Sequence, residues 1–271
     1  MIRLLPQRIT TKASRVTILI LLFWSPVIIA QDDANTLARE LLKEVRDGRP
    51  TLESRERLAQ IPMNDLIRSL DTDTQKKTFW INVYNAHIQL LLTENPELYR
   101  NRDDFFKKNR ITIAGQLFSF DLIEHGILRR SQLSWGLGIF GKWFPNSLEK
   151  KLRVSKVDYR IHFALNCGAK DCPPVAVYHP QKLETQLEYV SKNFLEKTTQ
   201  FDSLEKTARV TSLFSWFRGD FGFSDGVTSI LRKYGAIPLD ATGISVTYAP
   251  YDWTLDLGHF LEVPTDHSIR D

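Results

Sequence analysis

The amino-acid sequence predicts a mostly helical protein of the α+β or mixed α/β class, with a small sheet, folded as a single globular domain behind an N-terminal signal. The chain has 271 residues, of which 42% are hydrophobic and 25% charged, a balance that excludes wholesale disorder, collagen and a multi-span membrane protein. Most of the apolar periodicity is helical, whereas stretches with strand character are few and short. No repeat, low-complexity tract or flexible linker divides the chain into two bodies.

The excess positive charge of the chain lies at its N-terminus. Residues 1–30 contain Arg3, Arg8, Lys12 and Arg15 and no acidic residue. These four residues account for the whole formal charge of +4, because the other 32 basic residues equal the 32 acidic ones in number. The rest of the chain is neutral overall, so we expect no nucleic-acid partner.

The basic residues precede an apolar run from Val16 to Ala30, after which a polar chain begins. This plan predicts a secretory signal over residues 1–30. The run is shorter than the roughly 20 apolar residues that span a bilayer, although an uncleaved N-terminal anchor is the alternative. We therefore expect an exported protein, periplasmic or secreted, that meets a membrane only through this leader if the leader is not cleaved.

Residues 31–70 are predicted to form an N-terminal helical segment. Apolar residues recur at helical spacing from Asn35 to Val45 and again from Glu53 to Leu70. Gly48 and Pro50 separate the two stretches, and Pro62 marks a further break. A core domain is expected over residues 71–256, followed by a C-terminal tail at 257–271.

The segment from Asp71 to Thr93 predicts a helix at the centre of the fold, with Asp71 or Asp73 as its cap. It is apolar on nearly every face after residue 79. Its polar interruptions are Asn82, Asn85 and His87. A buried amide or imidazole without a partner costs roughly 1 to 3 kcal/mol, so these groups are either satisfied inside the fold or line a site.

The next segment predicts a β-hairpin over residues 111–120, followed by a helix in which Asp121 and Glu124 are spaced like a capping box. Residues Trp135–Phe144, which we call the aromatic loop, interleave glycines with large apolar side chains. Such a loop is either packed into the core at its aromatic residues, the interpretation we favour, or a mobile cover over a pocket.

The remaining chain alternates short strands with helices. We expect strands at residues 160–166, 208–213 and 244–248, helices at 182–197 and 225–234, and a short amphipathic piece around Phe214, Trp216 and Phe217.

The chain has two cysteines, Cys167 and Cys172, and they allow several interpretations. In an oxidising compartment they are expected to pair, and a separation of five residues permits a disulfide that closes a turn. Alternatively Cys167 is a nucleophile, with the Gly168 N–H as an oxyanion donor and Lys170 lowering the thiol pKa. A reversible thiol–disulfide role is a further alternative, although the spacing is unusual for one.

A nucleophilic Cys167 needs a base. His162 suits this poorly in a regular strand, because residues five apart point to opposite faces. The fold would have to bring in His125, His87 or a later histidine, with Asn82 or Asn85 as an orienting group. A zinc site is the other alternative, its potential ligands being His162, Cys167, Cys172 and His179, but the spacing is not that of a compact finger. We expect no metal or cofactor.

Several of these residues also have ordinary structural interpretations. His125 can be an internally bonded histidine of an amphipathic helix, and Glu124 a helix cap. Asp252 lies between Tyr251 and Trp253 and is expected to be a turn residue, although a carboxylate among aromatic rings could also orient a histidine. Further pocket candidates are His87, Arg129, His162, Lys170 and Asp252.

Four sequence blocks together resemble the family called domain of unknown function 547. The blocks are residues 79–86 (FWINVYNA), 123–129 (IEHGILR), 160–173 (RIHFALNCGAKDCP) and 251–253 (YDW). They occur in the family's order and span roughly Asp71 to Leu255; the family pattern has asparagine where this chain has Asp256. The resemblance implies no reaction. It implies that one spatial cluster is formed by Asn82, Asn85, Glu124, His125, Arg129, Cys167, Cys172 and Asp252.

Two functional hypotheses follow from the sequence. The leading one is a thiol-dependent hydrolase or acyl transferase acting on an amide- or ester-containing envelope substrate. In it Cys167 is the nucleophile, His125 the base, and Asn82, Asn85 or Glu124 the orienting group. The alternative is a non-catalytic module that binds a small molecule or a protein and carries a Cys167–Cys172 disulfide.

Overall fold

The structure is a computed structural model that describes residues 33–264. The predicted signal at residues 1–30 and the end of the predicted tail lie outside the described residues. About half of the described residues are helical, and they form one compact body, so the mostly helical, single-domain class is confirmed. The helices are α1 (Ala34–Arg46), α2 (Leu52–Gln60), α3 (Met63–Ser69), α4 (Asp73–Glu94), α5 (Arg102–Lys107), α6 (Ser147–Leu152), α7 (Leu183–Thr198), α8 (Leu213–Trp216) and α9 (Phe223–Lys233).

Short non-α helices complete the helical part. Three are 3₁₀ helices, at Pro96–Asn101, Tyr159–Phe163 and Pro180–Lys182, and one is a π-helix at Leu122–Leu128. No helix among residues 33–264 combines the length and the apolar character that a bilayer crossing requires.

The strands form two small sheets instead of the single sheet expected. β1 (Ile111–Ile113) and β2 (Gln116–Phe118) make the predicted antiparallel hairpin, with Ile111 opposite Phe118. β3 (Gln200–Asp202), β4 (Thr207–Val210) and β5 (Ser245–Tyr248) form the second sheet in that order. β4 pairs antiparallel with β3 and parallel with β5, so the chain crosses over through α8 and α9 between β4 and β5.

Helix α4 lies at the centre of the main hydrophobic core, as its apolar sequence predicts. Phe79, Trp80 and Ile81 are fully buried, and α1 packs along the same helix. The cap differs from expectation, because Thr72 and Gln75 form a capping box. The carboxylate of Asp73 instead accepts hydrogen bonds from the backbone and hydroxyl of Ser155. The helix thus starts with a local cap and a tertiary anchor.

The buried amides of α4 are satisfied inside the fold, and they do not line a site. Asn82 Nδ2 donates to the Tyr178 carbonyl at 2.9 Å, and Asn82 Oδ1 accepts from the Tyr178 N–H at 2.9 Å. Asn85 donates to the Ala164 carbonyl and accepts from the Asn166 N–H, both at 2.9 Å. We expected these two asparagines to orient a catalytic group. Instead, their side-chain amides bond to the backbone of Tyr178, Ala164 and Asn166.

The predicted strand at residues 160–166 is wrong, since this segment contains the 3₁₀ helix Tyr159–Phe163. Asp158 bends the chain here, because its carboxylate accepts from the Arg160 backbone and pairs with the side chains of Arg160 and Lys77. The guanidinium group of Arg160 also reaches Glu184 and Glu188 of α7. A tertiary ion network outweighs the apolar alternation on which the strand prediction rested.

A second, smaller hydrophobic core joins α7, α8, α9 and the three-stranded sheet. Phe163, Phe214, Phe221 and Leu231 lie in it. The helices predicted at 182–197 and 225–234 are confirmed as α7 and α9, and the strands predicted at 208–213 and 244–248 as β4 and β5, with shifted ends.

The packed interpretation of the aromatic loop is wrong. Trp143 and Phe144 are 89% and 92% exposed, and Trp135 and Phe140 are also exposed. The glycines of the segment serve its tight backbone turns: Gly138 has φ +79°, and a side chain there would collide with Asp220. The backbone is therefore packed closely while the large side chains point outward.

We predict that Asn82→Ala lowers the free energy of unfolding by about 2 to 4 kcal/mol, because it leaves the buried N–H and carbonyl of Tyr178 without partners. Denaturant unfolding measures the change. Asn109→Ala is the matched control, since Asn109 is exposed, and its effect should stay within about 0.5 kcal/mol. A loss below about 1 kcal/mol for Asn82→Ala would contradict the assigned role.

Candidate functional site

One pocket of about 610 Å³ gathers residues from distant parts of the chain. Tyr84 comes from α4, Glu124 and His125 from the π-helix, His162 from the 3₁₀ helix, and Cys167 and Cys172 from the loop that follows. Its apolar lining includes aromatic side chains from α8 and from residues 251–253, together with Phe106 and Trp135. The π-helix is an irregular element of the kind that often occurs at functional sites.

The two cysteines form a disulfide, as the first alternative for this segment expected. The S–S distance is 2.03 Å and the Cα atoms are 6.0 Å apart. Gly168 adopts φ +83° within the ring, a conformation that glycine accepts readily. The Tyr251 hydroxyl lies 3.2 Å from Cys172 Sγ and 3.5 Å from Cys167 Sγ. In this state Cys167 has no thiol and cannot act as a nucleophile.

The zinc interpretation does not hold in this state. Both sulfur atoms are bonded to each other, His162 is paired with Asp220, and His179 accepts from the backbone of Gln181. Among residues 33–264, no group of three or more histidine, cysteine or acidic side chains could hold a metal ion.

His125 is held by an arginine. Arg129 NH1 lies 2.7 Å from His125 Nδ1. Because a guanidinium group only donates, Nδ1 accepts this bond and Nε2 carries the proton of the neutral ring. Burial, followed by the charge of Arg129, lowers the pKa of His125 to about 3. His125 therefore offers an Nε2–H donor, and the nitrogen that could serve as a base is already occupied.

Asp220 anchors this arrangement and was not found from the sequence. Its Oδ2 accepts from Arg129 Nε at 2.6 Å and from His162 Nε2 at 2.8 Å, with all three side chains buried. Burial alone would raise the pKa of Asp220, but the hydrogen bonds from His162 and Arg129 outweigh it and lower the pKa. Phe217 packs against both His162 and Arg129, with its ring 4.0 Å from the His162 ring and 4.6 Å from the Arg129 guanidinium carbon.

Glu124 is not the helix cap that the spacing suggested. Leu122 N–H donates instead to the Ser119 hydroxyl, and Asp121 makes no capping bond. The carboxyl group of Glu124 accepts from the Tyr84 hydroxyl at 3.1 Å and lines the pocket. Burial raises its pKa, although the charges of His162 and Arg129 act in the opposite direction. Tyr84, Glu124 and His125 therefore form a polar group with defined bonding partners.

Three aromatic rings that contact one another line the same pocket as the polar group. The rings of Trp216 and Tyr251 are 4.8 Å apart, those of Tyr251 and Trp253 4.7 Å, and those of Trp216 and Trp253 5.4 Å. The guanidinium carbon of Arg102 lies 4.8 Å from the Trp253 ring. We call Trp216, Tyr251 and Trp253 the aromatic cluster. Its rings were expected only to pack, since nothing in the sequence indicates that they line a pocket.

The other predicted site residues lie outside the pocket lining. His87 is buried, with Nδ1 donating to the Val83 carbonyl, and burial lowers its pKa to about 4. Lys170 and Asp252 form an exposed ion pair at 3.4 Å, and Asp252 accepts from the Thr254 N–H as a turn residue. Arg129 also lies outside the lining, but it donates a hydrogen bond to His125, which lines the pocket. Of the cluster that the resemblance implied, Glu124, His125, Cys167 and Cys172 line the pocket.

These features define a mostly helical α+β domain whose pocket is lined by a disulfide, an aromatic cluster and the polar group of Tyr84, Glu124 and His125. Residues 67–195 match the family described as protein of unknown function, DUF547. The resemblance found in the sequence is confirmed over these residues. The matched range holds the polar group and both cysteines but ends before the aromatic cluster. Neither the curated proteins nor the solved structures contain a match to the chain.

We predict that His125 stays neutral across the pH range 5 to 8, with the proton on Nε2. The unfolded chain takes up this proton near the usual imidazole pKa of about 6.5, but the folded protein does so only near pH 3. Acidification between these values therefore lowers the free energy of unfolding. Long-range ¹H–¹⁵N spectra report the tautomer, with the signal assigned through its loss in His125→Gln. A midpoint near pH 6.5, or a protonated Nδ1, would refute the arrangement.

Proposed function

We propose that the oxidised protein binds a small organic ligand in the pocket, as a module that does not use Cys167 as a nucleophile. The observation that carries this proposal is the meeting of the aromatic cluster and the polar group in one cavity of about 610 Å³. Ligand sites typically have volumes of about 300 to 1,000 Å³, with a mostly apolar lining and a few convergent polar groups. The pocket matches this description in size and in composition.

The polar group indicates what the ligand offers. The Nε2–H of His125 is a fixed donor, because Arg129 occupies the other ring nitrogen. The hydroxyl of Tyr84 is already engaged by Glu124. A ligand with a carbonyl or similar acceptor oxygen suits the His125 donor, while a flat apolar portion suits the aromatic cluster. The disulfide also lines the pocket, in contact with the Tyr251 hydroxyl of the aromatic cluster.

Export is part of the same proposal. A disulfide persists in an oxidising compartment and is rare in a reducing one, so the Cys167–Cys172 bond supports a site of action outside the cytoplasm. The apolar run Val16–Ala30 supports it independently.

Binding of a fluorescent dye tests whether the pocket accepts a small organic ligand. We expect 1-anilinonaphthalene-8-sulfonate, which joins a flat apolar body to acceptor oxygens, to bind the full chain with enhanced fluorescence. Ser134 is exposed and lines the pocket, so Ser134→Trp should weaken dye binding at least about tenfold by obstructing the cavity. Ser203→Trp adds the same side chain to an exposed turn elsewhere and is the control. Equal dye affinities for the two variants would exclude the pocket as the binding site.

A thiol-dependent hydrolase is the second candidate, favoured by one observation. Cys167 lines the same pocket as His125 and Glu124. After reduction of the disulfide, a Cys167 thiolate could attack an ester carbonyl, release the alcohol and form a thioester that water then hydrolyses. This candidate ranks second because the disulfide holds the sulfur and Arg129 holds His125 Nδ1.

The two candidates separate on the hydrolysis of p-nitrophenyl acetate. If the protein is only a binding module, neither the oxidised protein nor the protein treated with a phosphine reductant releases p-nitrophenol above the rate of Cys167→Ser. A hydrolase would instead become active on reduction. It would also be active without reductant in Cys172→Ser, which leaves the Cys167 thiol free, and inactive in Cys167→Ser. That pattern would replace the binding proposal.

A further inference from the structure

The aromatic loop carries an unusual share of the exposed apolar surface. Six of the twelve large hydrophobic side chains exposed among residues 33–264 fall within these ten residues. They are Trp135, Leu137, Ile139, Phe140, Trp143 and Phe144. Single exposed hydrophobic residues are ordinary, but a contiguous group of this size marks an interaction surface.

The loop is held in a defined shape, so its exposure does not come from an irregular chain. Its base is a short hairpin in which Leu133 N–H donates to the Phe140 carbonyl at 2.9 Å and Lys142 N–H donates to the Ser131 carbonyl at 2.6 Å. Its tip is fixed by the bond from Gly219 N–H to the Leu137 carbonyl at 2.8 Å. Backbone hydrogen bonds thus fix the base of the loop and the position of Leu137, while its large side chains are exposed.

The residues that flank the loop are basic. Between residues 129 and 153 there are six arginines and lysines and one acidic residue, Glu149, which is buried and paired with Lys142. Arg130, Lys150 and Lys151 are exposed. Arg130 adjoins Ser131 at the base of the loop, and α6, which carries both lysines, is tied to the loop by the Lys142–Glu149 pair. The exposed apolar side chains are therefore flanked along the chain by exposed basic residues.

We propose that the aromatic loop docks the protein onto the surface of an anionic lipid bilayer, with Trp143 and Phe144 inserted at the headgroup level. Tryptophan is enriched at the membrane–water boundary, where its amphipathic ring fits. Neighbouring lysines and arginines are attracted to anionic headgroups by about 1 kcal/mol each. Insertion into a bilayer buries the rings without requiring a complementary groove on a partner protein. The hairpin is also narrow, whereas stable protein–protein interfaces use a broad face. This docking does not require that a ligand occupy the pocket, whose lining includes Trp135 of the loop.

The test uses vesicles of brominated phosphatidylcholine with about a quarter phosphatidylglycerol, because bromine quenches tryptophan fluorescence only on contact and the anionic lipid supplies the attraction. The full chain carries Trp24→Phe, which removes the tryptophan of the N-terminal apolar run. We expect quenching of this protein. Phe140→Ser/Phe144→Ser, which keeps Trp135 and Trp143 as reporters, should lower the vesicle affinity at least about tenfold.

Leu204→Ser/Leu239→Ser is the matched control, since both leucines are exposed far from the loop in sequence, and it should bind like the parent. Circular dichroism should show all variants equally folded, because the substituted side chains are exposed. Equal quenching of the loop variant and the control would overturn the proposal. So would self-association in the absence of vesicles, measured by analytical ultracentrifugation, that disappears in the loop variant, because the loop would then be a contact between protein copies.

Discussion

The fold depends on the hydrogen bonds that the buried side-chain amides of α4 make with distant parts of the chain. Asn82, Asn85 and Gln89 lie on one side of a helix that is otherwise almost wholly apolar, and each side chain both donates and accepts. Gln89 donates to the Asn166 side chain and accepts from the Gly258 N–H. Non-helical backbone from Ala164 to Tyr178 supplies the remaining partners. One helix thereby fixes the loop that carries both cysteines, and with it one part of the pocket lining.

A second constraint sets the chemistry of the pocket. Arg129 is fully buried, so its charge requires a nearby anion, and Asp220 supplies it from the segment between α8 and α9. The pair joins the π-helix to the smaller core, where Phe217 and Phe221 pack against His162. Because the guanidinium group is fixed by Asp220, the hydrogen-bonding character of His125 is fixed as well. The proton position on the imidazole is thus set by residues that do not line the pocket.

Much of the fold could be predicted from the sequence because helices α1, α7 and α9 carry clear apolar periodicity, α4 is a long, almost wholly apolar segment, and the hairpin carries a clear turn. The polar residues of α4 were recognised as needing partners, but which partners they find depends on long-range packing. The strand predicted at 160–166 failed for the same reason, since Lys77, Glu184 and Glu188 are distant in sequence. Asp220 has no local signal at all. Glutamate at 124 was identified as a candidate, yet its bond to Tyr84 could be known only from the fold.

The position of the disulfide has a consequence for how the protein is made. The chain contains two cysteines, so a single intramolecular pairing is possible and no scrambled isomer can form. The partners are five residues apart, so they leave the ribosome almost together. A general oxidant is then sufficient for maturation, and proofreading by an isomerase has no substrate here. For the same reason, a reductant has only this one intramolecular disulfide to break.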